Sequence, residues 1–263
     1  MRAIVAVIAT VSACLMIWTV LRHWPGRRRP RFPARIEGKS LVICAGDSLT
    51  EGTISGNYVV EVQARFPECQ FFNAGINGDT SAGLLKRIDE CVACNPNKAL
   101  ILIGTNDVRK SDDLASYSRN LDSIIGRLRN THVAILSIPP LGEDLDGDIN
   151  RRVVRWNTAV REIAARYMVT YLPLFETIAA ELTRPGKPFK LRMGLMIAAH
   201  FRRSLLHQSF DEIAAINGFT IQTDQIHLSD RGAKIIATLV ASWLTCDSIP
   251  CPQSLTSMEN AHP

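Results

Sequence analysis

Strand-like and helix-like segments alternate along this chain, and that alternation narrows the folds open to it more than any other feature. Residues 40–45 form a short β-prone apolar run ending at Gly46, and 69–74, 99–103 and 132–138 are runs of the same kind. Short runs that stay apolar instead of alternating with polar residues fit strands covered on both faces, as in a parallel sheet. Between them, 58–66, 81–94, 114–129 and 150–167 show helical periodicity. A fifth strand is expected at 169–172, and a last helix, capped by Ser229, from Arg231 to Trp243. This order predicts an α/β domain: a doubly wound parallel sheet with helices on both faces, spanning 37–247, with a loose tail at 248–263.

The pattern breaks at about 185–218. Within it, 191–213 is apolar with Arg192, Arg202, Arg203, His200 and His207 interleaved, and reads as an inserted helix or helical pair. The two histidines have no acidic partner at catalytic spacing and are expected at the surface. The insertion is open to two readings, a lid or docking surface for an amphiphilic ligand, or a helix that simply covers the sheet edge.

Ahead of the domain, residues 3–21 are almost wholly apolar and uncharged, long enough to cross a hydrocarbon core of about 30 Å at about 1.5 Å per residue. Residues 1–23 are read as a single membrane-spanning helix, and 24–36, with Pro25, Pro30, Pro33 and several arginines, as an extended basic linker. Two other readings compete: a cleaved secretory signal, and a lipoprotein signal with Cys14 acylated. Both suit the run less well, because it stays apolar through Leu21. The arginine-rich flank favours the cytoplasm for the side holding the domain, which leaves the side of the membrane open.

The net charge of +5 resides largely in those linker arginines. They fit a membrane flank, and no basic stripe interleaved with aromatics occurs elsewhere, so nucleic acid is not expected as a partner. Of the seven cysteines, Cys91 and Cys94 lack the second ligand pair a zinc site needs, whereas Cys246 and Cys251 are spaced for a small disulfide. Asp144, Asp146 and Asp148 lack the glycine position and distal glutamate of a calcium loop and read as a solvated acidic loop near the site rim.

In open α/β sheets ligands bind beyond the carboxyl ends of the strands. After the first strand stands Gly46-Asp47-Ser48-Leu49-Thr50; after the second, Gly75-Ile76-Asn77-Gly78-Asp79; after the third, Gly104-Thr105-Asn106-Asp107; and before the last helix, Asp224-Gln225-Ile226-His227. A serine hydroxyl needs a base to take its proton, and the base needs a third group to hold its tautomer. Ser48, His227 and Asp224 supply these catalytic parts. The backbone N–H groups of Ser48 and Gly78 and the side-chain amide of Asn106 suit an oxyanion hole. Asp47 and Asp79 read as loop-fixing groups, Asp107 as a helix cap, and His132 as structural.

These four ordered blocks resemble the GDSL or SGNH hydrolase family. The resemblance implies a flavodoxin-like three-layer α/β/α sandwich, no metal or organic cofactor, and the same five residues: Ser48, Asp224 and His227 as catalytic, with Gly78 and Asn106 completing the oxyanion hole. Leu228 departs from the pattern, standing where proline is common. The activity implied is hydrolysis of a carboxylic ester, either a lysophospholipid or other lipid ester or an O-acetylated glycan. The alternatives are an acyltransferase or thioesterase on the same triad, or a non-catalytic binding domain of the same fold.

Overall fold

A computed structural model describes residues 30, 32, 34–183 and 186–246. The anchor segment 1–23, its competing signal readings, the tail 248–263 and the Cys246–Cys251 pairing lie outside the residues and side chains described. Among the described residues no helix is long and apolar enough to cross a membrane.

Five strands, β1 (Ser40–Gly46), β2 (Cys69–Gly75), β3 (Lys98–Leu102), β4 (His132–Leu136) and β5 (Thr170–Leu172), form one parallel sheet in the order β2-β1-β3-β4-β5. Each apolar run thus becomes a strand within two residues of its expected bounds. Successive side chains on a strand point to opposite faces, so Ile43 and Ala45 enter one core cluster while Cys44 enters the other. The first is closed by α3 (Ser81–Leu85), α4 (Ile88–Ala93), α6 (Leu114–Arg127) and α7 (Asp148–Tyr167), through Leu84, Ile88, Leu121 and Trp156. The second is closed by α2 (Tyr58–Arg65), α8 (Leu174–Glu181) and α11 (Asp230–Cys246), through Tyr58, Ile178, Ile236 and Val240. Helices on both faces complete the three layers.

Three local expectations are corrected. The helix expected at 81–94 is two, α3 and α4, because Arg87 between them turns its side chain into the interior instead of continuing a solvent-facing stripe. The insertion is a helical pair, α9 (Met193–Leu205) and α10 (Phe210–Asn217), and His200 is buried within it instead of at the surface; His207 is exposed as expected. Contacts of the domain also begin inside the 24–36 segment: Phe32 stacks on Phe72 at 4.6 Å, and Arg35 donates to the Asn95 carbonyl and the Asn97 side chain.

Trp156 is the largest fully buried side chain among the described residues and lies 4.8 Å from the Tyr117 ring, between α6 and α7. Trp156→Ala should lower the unfolding free energy by about 3–5 kcal/mol, measured by urea denaturation; a loss under about 1 kcal/mol would show that this layer repacks freely.

Candidate active site

Strand order reverses at β1, which has β2 on one side and β3 on the other, so the connections leaving β1 and β3 diverge and open a crevice at their carboxyl ends. From β1 the chain turns through Asp47 into the single turn α1 (Ser48–Glu51), and from β3 it enters α5 (Thr105–Lys110), which carries Asn106. Asp47 caps α1, its Oδ1 accepting the Leu49 N–H at 3.0 Å. A Cβ on Gly75 would stand 2.2 Å from the Glu51 nitrogen, so α1 packs against β2 only because residue 75 has no side chain.

Ser48 Oγ lies 3.0 Å from Nε2 of His227, which is 179 residues further along the chain. The other ring nitrogen, Nδ1, lies 2.7 Å from Asp224 Oδ2. Asp224 Oδ1 accepts the backbone N–H groups of His227 at 2.8 Å and Ile226 at 3.0 Å. Burial by itself would raise the Asp224 carboxyl, yet the charge of His227 and these hydrogen bonds hold it below its ordinary value. An ionised Asp224 accepts from Nδ1–H. In the neutral ring that leaves Nε2 without a proton and facing the serine hydroxyl, so the arrangement can take up a hydroxyl proton.

The turn from Asp224 to His227 is held from outside. Gln225 adopts φ +75°, a left-handed conformation costly for a residue with a side chain. Three bonds offset the cost: Gln225 Oε1 accepts from the Lys190 N–H at 2.6 Å, its Nε2 donates to the Pro188 carbonyl, and its own carbonyl accepts from the Gly142 N–H. The Glu143 carboxylate accepts the N–H groups of Thr220, Ile221 and Gln222, the segment leading into the turn. Leu228 has a reason to replace proline, since its N–H donates to Ser55 Oγ at 3.2 Å and proline has no N–H to give.

The expected oxyanion-hole residues sit on the two neighbouring loops. Gly78 turns at φ +72°. The Asn106 amide donates to the Asp79 carbonyl at 2.9 Å and stands 3.5 Å from Asp47 Oδ2. Two arginines that the sequence left unmarked organise these loops. Arg109 donates to Asn106 Oδ1 at 3.0 Å, which fixes the amide with its NH₂ end toward Asp47 and Asp79. Arg87, buried, donates to the Asp79 carboxylate at 2.9 Å, the Ala74 carbonyl at 2.7 Å and the Gly46 carbonyl at 3.0 Å. One guanidinium fork thereby ties the ends of β1 and β2 to the loop beyond Gly78. In sequence, Arg87 looks like one more charge on an amphipathic helix, and no sequence signal sets it apart. Asp107 does not cap the next helix: its carboxylate accepts the N–H and hydroxyl of Ser81 and so fixes the start of α3.

Among the described residues no group of three or more His, Cys, Asp or Glu is placed to hold a metal ion. Asp148 opens α7 and pairs with Arg151. Burial pushes the thiols of Cys44 and Cys91 up to about 12, which keeps both protonated. His132 stacks on Trp243 at 5.4 Å, a structural contact.

The GDSL-like lipase/acylhydrolase family matches the chain over residues 44–235. The fold is similar to that of a lipase/acylhydrolase from Enterococcus faecalis, with a TM-score of 0.60 and 19% identity, covering 79% of this chain and 96% of that one. It is also similar to Axe2, an acetylxylan esterase from Geobacillus stearothermophilus, with a TM-score of 0.58 and 20% identity over 79% and 95% of the two chains. The acetyl xylan esterase AlAXEase gives a TM-score of 0.59 at 18% identity over 78% and 99%. No curated protein matches the chain.

Burial raises the Asp47 carboxyl from 3.8 to about 7, against the lowering effects of the Leu49 N–H and the His227 charge. Between those two values the folded chain keeps a proton that the unfolded chain has lost, so stability from this group is highest below the lower value and falls as pH rises through the upper one. The Tm of Asp47→Asn minus that of the wild type should therefore climb by several degrees from pH 4 to pH 8, at about 2–4 °C per kcal/mol. A constant difference across that range would show that Asp47 ionises normally.

Proposed function

Because the chain belongs to the GDSL-like lipase/acylhydrolase family, and is a hydrolase acting on esters, we propose that Ser48 is its nucleophile, activated by His227 and Asp224. The observation that carries this reading is the buried relay of 3.0 Å from Ser48 Oγ to His227 Nε2 and 2.7 Å from Nδ1 to Asp224. Ser48 Oγ attacks the ester carbonyl carbon while its proton passes to Nε2, and the carbonyl π pair moves to oxygen. The backbone N–H groups of Ser48 and Gly78 and the second N–H of the Asn106 amide are the donors for that oxyanion. Collapse breaks the bond to the alcohol oxygen, which takes the proton from His227 and leaves an acyl group on Ser48. Water, deprotonated by His227, then attacks the acyl carbon, and collapse breaks the bond to Ser48 Oγ, which takes the proton back from His227 as the acid leaves. Asp224 stays ionised throughout and steadies the imidazolium.

The acyl acceptor is water, and the substrate is a lipid ester or an O-acetylated glycan. The first is supported by the cationic apolar insertion; the second by two similarly folded proteins being acetylxylan esterases. Residues 1–23 are proposed to anchor the chain in a membrane, supported by the uncharged apolar run at 3–21. After carbonate washing the chain should stay with the membrane fraction, and release into the wash would overturn the anchor.

Ser48→Ala should reduce kcat for p-nitrophenyl esters by about four to six powers of ten and abolish labelling by a fluorophosphonate, with an unchanged circular dichroism spectrum. Retained turnover or labelling in that folded variant would remove Ser48 from the mechanism. In the wild type, a rate that rises with acyl length selects the lipid ester, and one confined to acetate selects the glycan.

A further inference from the structure

Between Glu181 and Asp211 the chain has no Asp or Glu, while Lys187, Lys190, Arg192, Arg202 and Arg203 all fall there. None of these five cations is ion-paired with a described acid. Through the middle of this stretch runs α9, a helix of which only Ala199 and His200 are buried. Ala199 packs with Phe210 and Ile213 of α10 in a cluster separate from the two main cores. Along α9, Met193, Ile197, Phe201 and Leu205 follow one another at four-residue spacing and form one apolar stripe, with Phe201 half-buried. Met193 is 50% exposed, Ile197 43% and Leu205 43%, and Leu206 just beyond is 54% exposed. A main-core helix such as α7 shows the reverse pattern, with its large apolar residues Val153, Trp156, Val160 and Ile163 buried.

We propose that α9 is a docking helix for the surface of an anionic phospholipid bilayer, with the Met193–Ile197–Phe201–Leu205 stripe entering the acyl boundary and the arginines meeting phosphate headgroups. An apolar stripe with cationic flanks and no acid is the pattern that binds in the plane of a charged interface. A protein partner for so cationic a face would have to be acidic as well as apolar, and anionic lipid supplies both features in one surface. Arg202 stands beside the stripe and donates to the Gln208 side chain, whereas Arg203 lies over the Phe210 ring on the α10 side; long aliphatic stems let such arginines carry their charge back to the headgroups. The helix is also tied to the proposed catalytic turn. The segment leading into it bonds Gln225 through Lys190 and Pro188, and α10 is fastened to the start of α11 by Phe210 N–H to Asp230 and Arg231 N–H to Asp211. Docking through α9 therefore brings the rim of the crevice to the membrane surface. The apolar run at 3–21 is a separate membrane element, and the proposal does not depend on the chemistry at Ser48.

The test is hydrogen exchange across 191–206 in the full chain, with phosphatidylglycerol vesicles, with phosphatidylcholine vesicles, and with none. The neutral vesicles hold the chain by any purely apolar attachment, so the contrast isolates the charge-assisted contact. Amides of this segment should exchange roughly tenfold slower on the anionic vesicles than on the neutral ones. The slowing should vanish in Ile197→Ser/Leu205→Ser and shrink in Arg202→Gln/Arg203→Gln, both variants keeping wild-type hydrolysis of p-nitrophenyl acetate as proof of folding. Equal protection on both vesicles, or none on either, overturns the proposal. So does protection without vesicles that equals the protection on the anionic ones: if it grows with protein concentration a second copy covers the stripe, and if it does not, another segment of the chain does.

Discussion

β1 has β2 on one side and β3 on the other, and the site geometry depends on that reversal. The helices leaving the two central strands go to opposite faces, so a gap opens where no backbone can pass. Ser48 and Asn106 stand at its edges because each follows one of the two strands directly. The third part, Asp224 to His227, arrives from the start of α11, on the face that also carries α2 and α8. A change in strand order would separate these loops while leaving each motif intact.

The groups around the crevice divide the labour between placing backbone and holding charge. Arg87 links two strand ends to the loop of Gly78, and its ionic partner, Asp79, is also buried. A buried pair of this kind contributes little net stability against an apolar replacement, whereas loss of one partner strands the other charge. Its service is positional. Glu143 does the equivalent for the Asp224–His227 turn by accepting several backbone N–H groups at once. Asp224 is kept ionised by donors on its own turn, while Asp47, one residue before Ser48, has one backbone donor and is raised by burial. Two acids close to one serine thus titrate in opposite directions.

The insertion obeys different rules from the domain it interrupts. The main helices bury a continuous stripe against a sheet, whereas α9 leaves its stripe in solvent and is held by a small cluster and by bonds to Gln225. Those bonds bring the insertion beside the Asp224–His227 turn, and no feature of residues 185–218 read alone announces that proximity. His200 shows the same limit. Counting acidic neighbours in sequence placed it at the surface, but burial is decided by what packs over a residue, here α10.

By itself the sequence determined the parallel α/β sandwich and which polar residues fall in the loops at its strand ends. Uninterrupted apolar runs suit only strands covered on both sides, and Ser48, Gly78, Asn106, Asp224 and His227 fall in loops that such a sheet must gather at one edge. Those are local signals, carried by residue type and spacing. Tertiary structure alone decided that the 81–94 segment breaks at Arg87, that Arg109 orients the Asn106 amide, that Gln225 bends through a left-handed turn, and that Leu228 uses an N–H which proline lacks. Each depends on a partner at least a turn and in most cases tens of residues away in the chain, so its energy exists only once the fold has closed.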